Sequence, residues 1–201
     1  MTLAEIADPK RSALLLWDME YAIAPNAFNY NDIVANLKML AALARVSGVP
    51  VFYSVQTAFD LRKEEAAVWV RVRMKRAKAA DPSRLLKEKE DPKGREIVAE
   101  LQPEPSDIVF QKRRPDGFVG TDFDLTLRSN GVRTIVIGGV ATEGGVEGTA
   151  RTARNLGYEV VILKDGVGSR SRELHELALK LMEQTHFELA AASEIAEIWR
   201  R

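Results

Sequence analysis

The alternation of short, wholly apolar runs with longer stretches of helical period constrains the fold of this chain more than any other feature. The run that begins at Ser12 and closes at Asp18-Met19 shows no polar alternation, the pattern of a strand buried on both faces. From Asn31 the period changes, and Ile33, Val34, Leu37, Leu40, Ala41 and Ala44 mark one helical face that Gly48 and Pro50 stop. Val49 to Val55 is a second strand, and Asp107 to Phe110 a third leading into Lys112. A helix with Leu125 and Leu127 follows, then a strand from Val132 to Val140. Thr142-Glu143-Gly144-Gly145 opens a helix ending near Leu156, Glu159 to Asp165 is a further strand, and Leu174, Leu177, Ala178, Leu181 and Met182 form a helical stripe. A short strand from Phe187 to Ala190 and a helix from Ser193 complete the pattern. Strands that alternate with helices require right-handed crossovers, so the expected fold is α/β, three layers, with a mostly parallel sheet of about six strands, Rossmann-like.

At 201 residues and 46% hydrophobic, the chain suffices for one domain with a full core, and residues 1–201 read as a single unit. Twenty-nine Lys and Arg balance 29 Asp and Glu, so no global field draws the chain to nucleic acid or to an anionic membrane. A small-molecule partner is expected. Apolar runs such as Ala13 to Trp17 fall far short of a membrane span, and the first ten residues lack signal-peptide blocks, which points to the cytoplasm. The absence of cysteine excludes disulfides, thiolate metal sites and cysteine nucleophiles. Residues 60–102 break the strand–helix rhythm as a charged insertion, with Trp69 beside Val68, Val70 and Val72 among basic residues. This stretch reads either as a binding surface for an anion or a second subunit, or as a solvated helix packed on its own sheet.

Ligands of open parallel sheets bind beyond the carboxyl ends of the strands. Asp18, Lys112 and Gly144-Gly145 all fall at such ends. A carboxyl following an apolar run has a raised pKa unless it is paired, and a lysine beside it holds it ionised. Glycines opening a helix present backbone N–H groups to an anion or a developing oxyanion. Each feature also has a plain structural reading, as turn former, solvated cation or close-packing glycine.

Together these segments resemble a family. Ala13-Leu14-Leu15-Leu16-Trp17-Asp18-Met19 is similar to the first strand of the isochorismatase-like hydrolases, which include nicotinamidases, carbamoylsarcosine amidases and isochorismatases. The run from Lys112 through Gly117-Phe118 to Gly120-Thr121-Asp122 resembles their lysine motif. Gly139-Val140-Ala141-Thr142-Glu143-Gly144-Gly145-Val146 resembles their nucleophile loop, and Asp165, Ser169, Ser171 and His175-Glu176 also match. The resemblance implies that Asp18 and Lys112 are the catalytic acid–base pair, that Gly145 stands at the position of the nucleophilic cysteine, and that the Val140–Ala141 peptide is cis. It further implies substrate contacts from Ala141, Thr142, Gly144 and Phe118, and Tyr21, an aromatic residue past the first strand, is expected to join them.

The glycine is a departure, because Gly145 offers only a backbone N–H. Isochorismatases carry glycine there too and hydrolyse a vinyl ether, which needs a proton for the enol carbon and a water but no nucleophilic side chain. Their Tyr-Ala-His loop is absent, however. Two functions therefore follow: a hydrolase working by acid–base chemistry with Asp18 and Lys112, or a catalytically inactive small-molecule-binding pseudoenzyme. No cofactor is expected. Gln56 to Asp60 contains no histidine of the nicotinamidase metal pattern, so no catalytic metal is expected either. His175 reads as a pocket-lining residue or, given its helical spacing beside Glu176, as a surface or capping residue, the second being favoured. Trp17, Tyr21, Phe28, Tyr53 and Phe59 follow strand ends and read as pocket wall in part and core in part. Zero net charge and the apolar run around Trp69 point to a homodimer or homotetramer.

Overall fold

The computed structural model of the protein describes residues 1–57, 71, 72, 75 and 93–201. Among these residues six strands form one sheet: β1 (Ser12–Trp17), β2 (Val51–Gln56), β3 (Ile108–Lys112), β4 (Thr134–Val140), β5 (Glu159–Gly168) and β6 (Glu188–Ala190). Their spatial order is β3-β2-β1-β4-β5-β6, and every pair is parallel. The helices are α1 (Leu3–Ile6), α2 (Tyr30–Val46), α3 (Phe123–Ser129), α4 (Glu147–Asn155), α5 (Arg172–Gln184) and α6 (Ala192–Trp199).

The apolar runs fill both faces of the sheet, as the lack of polar alternation requires. From β1, Leu14 and Leu16 join the core beneath α1, α2 and α6, while Ala13, Leu15 and Trp17 join the core beneath α3, α4 and α5. Leu14 lies between Val51 of β2 and Val136 of β4, which makes β1 fully central. Burying a side chain of this size stabilises the fold by roughly 1.5–3 kcal/mol. Gly48, at φ +71 just past α2, takes the left-handed conformation that ends the helix and turns the chain into β2.

The structure corrects the reading of α5. Its leucines face outward, with Leu174, Leu177 and Leu181 all exposed, and the buried side is His175, Ala178 and Met182. One position in a helix is about 100° of rotation, so a broad apolar stripe does not by itself identify the side that meets the sheet. His175 is therefore interior and not a surface or capping residue. Asp165 is structural: its carbonyl accepts from Asn36 Nδ2 at 2.8 Å and its Oδ1 from the Ala192 N–H at 2.8 Å, tying α2 and α6 to β5. Residues 58–70, 73, 74 and 76–92, most of the 60–102 insertion, lie outside the described residues, and the expectations for Trp69, Val68, Val70 and Phe59 lie there too. Its end is placed: Lys93–Arg95 and Ala99–Leu101 are single 3-10 turns, and Ile97 bridges antiparallel to Glu20.

Candidate active site

The chain enters the sheet at β1, winds to β2 and β3 on one side, and returns to β4 on the other. The resulting crevice beyond the carboxyl ends of β1 and β4 is where an open parallel sheet binds ligands. A cavity of about 780 Å³ opens there, lined by Asp18, Glu20, Lys112, Ala141 and Gly145 among others.

Asp18 follows the last residue of β1 at φ +48, a conformation that aspartate tolerates better than most residues. The turn leaves its carboxylate within reach of two donors. Lys112 Nζ, from the end of β3, lies 2.9 Å from both carboxylate oxygens, and Ser54 Oγ of β2 donates to Oδ1 at 3.0 Å while accepting from the Asp18 N–H at 3.0 Å. The pair is deeply placed, with side chains 3% and 13% exposed for Lys112 and Asp18. Burial pushes the Asp18 carboxyl up from its ordinary value, against the pull of Lys112 and Ser54. A carboxyl so poised can exchange a proton nearer neutrality. Lys112 Nζ also sits 4.4 Å from the centre of the Trp17 ring, so an aromatic face lies beside its charge.

At the end of β4 the Val140–Ala141 peptide is cis, and residues Thr142–Val146 make one wide turn of π type before α4. Gly145 in that turn admits no side chain: a Cβ there would fall 2.0 Å from Trp17 Nε1, with further indole atoms within 2.7 Å. The rigid, buried Trp17 occupies the volume into which residue 145 would project. The Gly144 N–H is committed to the Ala141 carbonyl at 3.1 Å, so it is not free for a substrate.

Of the residues expected to touch substrate, Ala141, Gly144 and Gly145 line the cavity, as do Asp18 and Lys112. Three others are placed differently. Phe118 packs on Phe123 and Tyr158 at ring separations of 4.9 and 6.0 Å, because the small Gly117 before it lets the motif fold over the second core. Tyr21 accepts the Ala99 N–H at its hydroxyl, at 3.0 Å, and holds the insertion's end. Thr142 is buried, and its Oγ1 pairs with His175 Nδ1 at 2.8 Å, joining the turn to α5. Among the expected aromatic walls, Trp17 and Tyr53 are core, and Phe28 packs edge-on against His175 at 5.3 Å.

Glu20 is the residue that sequence reasoning missed. It is 1% exposed, lines the cavity, and accepts the Gln56 N–H on its two oxygens at 3.1 and 3.2 Å. Burial, then the neighbouring Asp18 charge, push its carboxyl up to about 8. The signal lay in Asp18-Met19-Glu20, a second carboxyl two residues after the first. Glu143, also on the cavity wall, accepts from Ser169 Oγ at 2.7 Å, and its buried Oε2 has no hydrogen-bond partner among the described residues. Among the described residues no group of three or more His, Asp or Glu could hold a metal ion, and no helix is long and apolar enough to cross a membrane.

Residues 12–194 match the isochorismatase domain family. The isochorismatase family protein YecD of Escherichia coli O157:H7 is 34% identical over 169 residues, spanning 83% of this chain and 84% of that one. Ureidoacrylate amidohydrolase RutB of Pantoea ananatis is 32% identical over 201 residues, spanning 89% of this chain and 78% of that one. The crystal structure of a cysteine hydrolase from Pseudomonas syringae pv. phaseolicola 1448A superposes with a TM-score of 0.81, covering 96% of this chain and 94% of that chain at 20% identity. At that identity the likeness is one of fold.

Proposed function

The chain belongs to the isochorismatase family of hydrolases, and on that footing we propose that it hydrolyses a C–O or C–N bond of a small molecule by acid–base chemistry, without a covalent intermediate. Asp18 moves the proton. Lys112 sets its charge and offers a cation to the substrate. The observation that carries this reading is the pairing of two facts at one cavity. The Asp18–Lys112 ion pair is intact at 2.9 Å, and the volume beside Gly145 is filled by the Trp17 indole, in a chain with no cysteine.

Water is then the attacking group. Hydrolysis of a vinyl ether asks least of position 145, since protonation of the enol carbon creates an oxocarbenium ion that water captures without a nucleophilic side chain. Amide hydrolysis, the reaction in the name of the RutB relatives, would ask more, because a neutral amide needs both an activated water and a stabilised oxyanion.

The test is turnover of isochorismate, ureidoacrylate, N-carbamoylsarcosine and simple vinyl ethers by the purified protein and by Asp18→Asn. The expected outcome is hydrolysis of at least one compound, reduced roughly 100-fold or more in the variant. Unchanged turnover by Asp18→Asn removes Asp18 from the chemistry. Binding without turnover across the whole panel leaves the pseudoenzyme reading in its place.

A further inference from the structure

Hydrolysis at this cavity moves two protons, one onto the substrate and one off the attacking water, and two carboxyl groups can divide these transfers between them. The cavity has a second carboxyl. Resting on the acid–base function proposed above, we infer that Glu20 is the catalytic acid that protonates the substrate, while the Asp18 carboxylate takes the proton of the attacking water.

The geometry separates the two groups. Asp18 is bound to Lys112 at 2.9 Å and accepts from Ser54 Oγ at 3.0 Å, contacts that favour its ionised form. Among the described residues Glu20 has no such cation in contact, and its hydrogen bonds there are from the single Gln56 N–H. It is nevertheless 1% exposed and on the cavity wall. Among the described residues the charged groups that act on it are Asp18, which opposes its ionisation, and Lys112 and Arg95, which favour it less strongly than burial and Asp18 disfavour it. Burial raises both carboxyls, but Asp18 meets a cation and a hydroxyl that hold its charged form while Glu20 meets one backbone N–H, and this difference in contacts divides the two into base and acid.

For a vinyl ether the cycle closes on itself. The Glu20 carboxyl proton goes to the enol carbon, whose π pair forms the new C–H bond and leaves an oxocarbenium ion. Water oxygen then bonds to the cationic carbon as the Asp18 carboxylate takes one of its protons, giving a hemiketal. In its breakdown the C–O bond to the leaving group breaks with the pair going to oxygen, which receives the proton held by Asp18. The hemiketal hydroxyl becomes the carbonyl and returns its proton to the Glu20 carboxylate. One water is consumed, and both carboxyl groups end as they began.

Glu20→Gln tests this, since an amide oxygen still accepts the Gln56 N–H and keeps the fold. Carboxyl carbon NMR of the protein labelled at glutamate is expected to show one resonance, lost in the variant, that stays protonated to about pH 8. Against the panel, Glu20→Gln is expected to lower kcat by about 100-fold or more with little change in KM, and to remove the alkaline limb of the rate profile. A Glu20 resonance already ionised at pH 7 overturns the assignment, as does a variant that keeps kcat and the alkaline limb while Asp18→Asn is inactive. If both variants keep full turnover, or no compound is hydrolysed, the acid–base function fails and Glu20 falls with it.

Discussion

At the residue scale the site is governed by Trp17. Its indole lies beneath Lys112 and fills the space beside Gly145, so the identities of residues 17 and 145 are coupled through volume. Gly145→Cys alone therefore does not test whether a nucleophile can be restored, because the new Cβ would meet a buried, rigid ring. Forcing it in is expected to destabilise the protein by about 1–3 kcal/mol, the usual cost of overpacking. Shrinking the ring in Trp17→Val/Gly145→Cys makes room, so urea denaturation should show the two changes to be non-additive, with the double variant more stable than the sum of the singles predicts. Strict additivity would mean that the indole and residue 145 do not compete for the same volume. Gly139 is constrained by the same tryptophan: at φ +121, a Cβ there would lie 2.1 Å from the Trp17 carbonyl oxygen, so only glycine lets β4 approach β1 this closely.

At the scale of elements, the turn Thr142–Val146 is held against α5 by Thr142 and His175, and Phe28 closes on the histidine ring from the segment before α2. Burial, the largest influence, lowers the pKa of His175 from its ordinary value of 6.5, with Arg172 adding to the effect and Glu143 and Glu176 opposing it. The folded protein thus prefers neutral imidazole. Below pH 6.5 the unfolded chain binds a proton that the folded chain resists, so stability should fall as the pH drops from 6.5 through the lowered value. Denaturant midpoints at pH 7.5 and 5 should show this loss in the wild type and a smaller one in His175→Gln, whose amide does not titrate. An equal loss in both would place the acid sensitivity elsewhere. The stripe Leu174, Leu177 and Leu181 on the outer side of α5 explains why this helix was misjudged from sequence. Its apolar residues cover more than one side, and only the sheet decides which side is buried.

At the scale of the whole molecule, a formal net charge of zero imposes little self-repulsion, and the exposed leucines of α5 add apolar surface. A homodimer or homotetramer is the expected state. Sedimentation equilibrium at micromolar concentration should give a multiple of 22.4 kDa, and a single-chain mass would end that expectation. The sequence by itself determined the three layers, the parallel sheet and the strand ends carrying Asp18, Lys112 and Gly145, because two-face burial and helical period are local properties written into consecutive residues. It did not determine which groups share the cavity. Phe118 and Tyr21 lie in or beside the expected motifs yet point into the core or the insertion's end, while Trp17 and Glu20, within two residues of Asp18 in the chain, set its surroundings. Which way a side chain turns past a strand end depends on the partners brought there by β2, β3 and β4. Only tertiary packing could bury Glu20 beside Asp18 and place an indole where residue 145 would otherwise project.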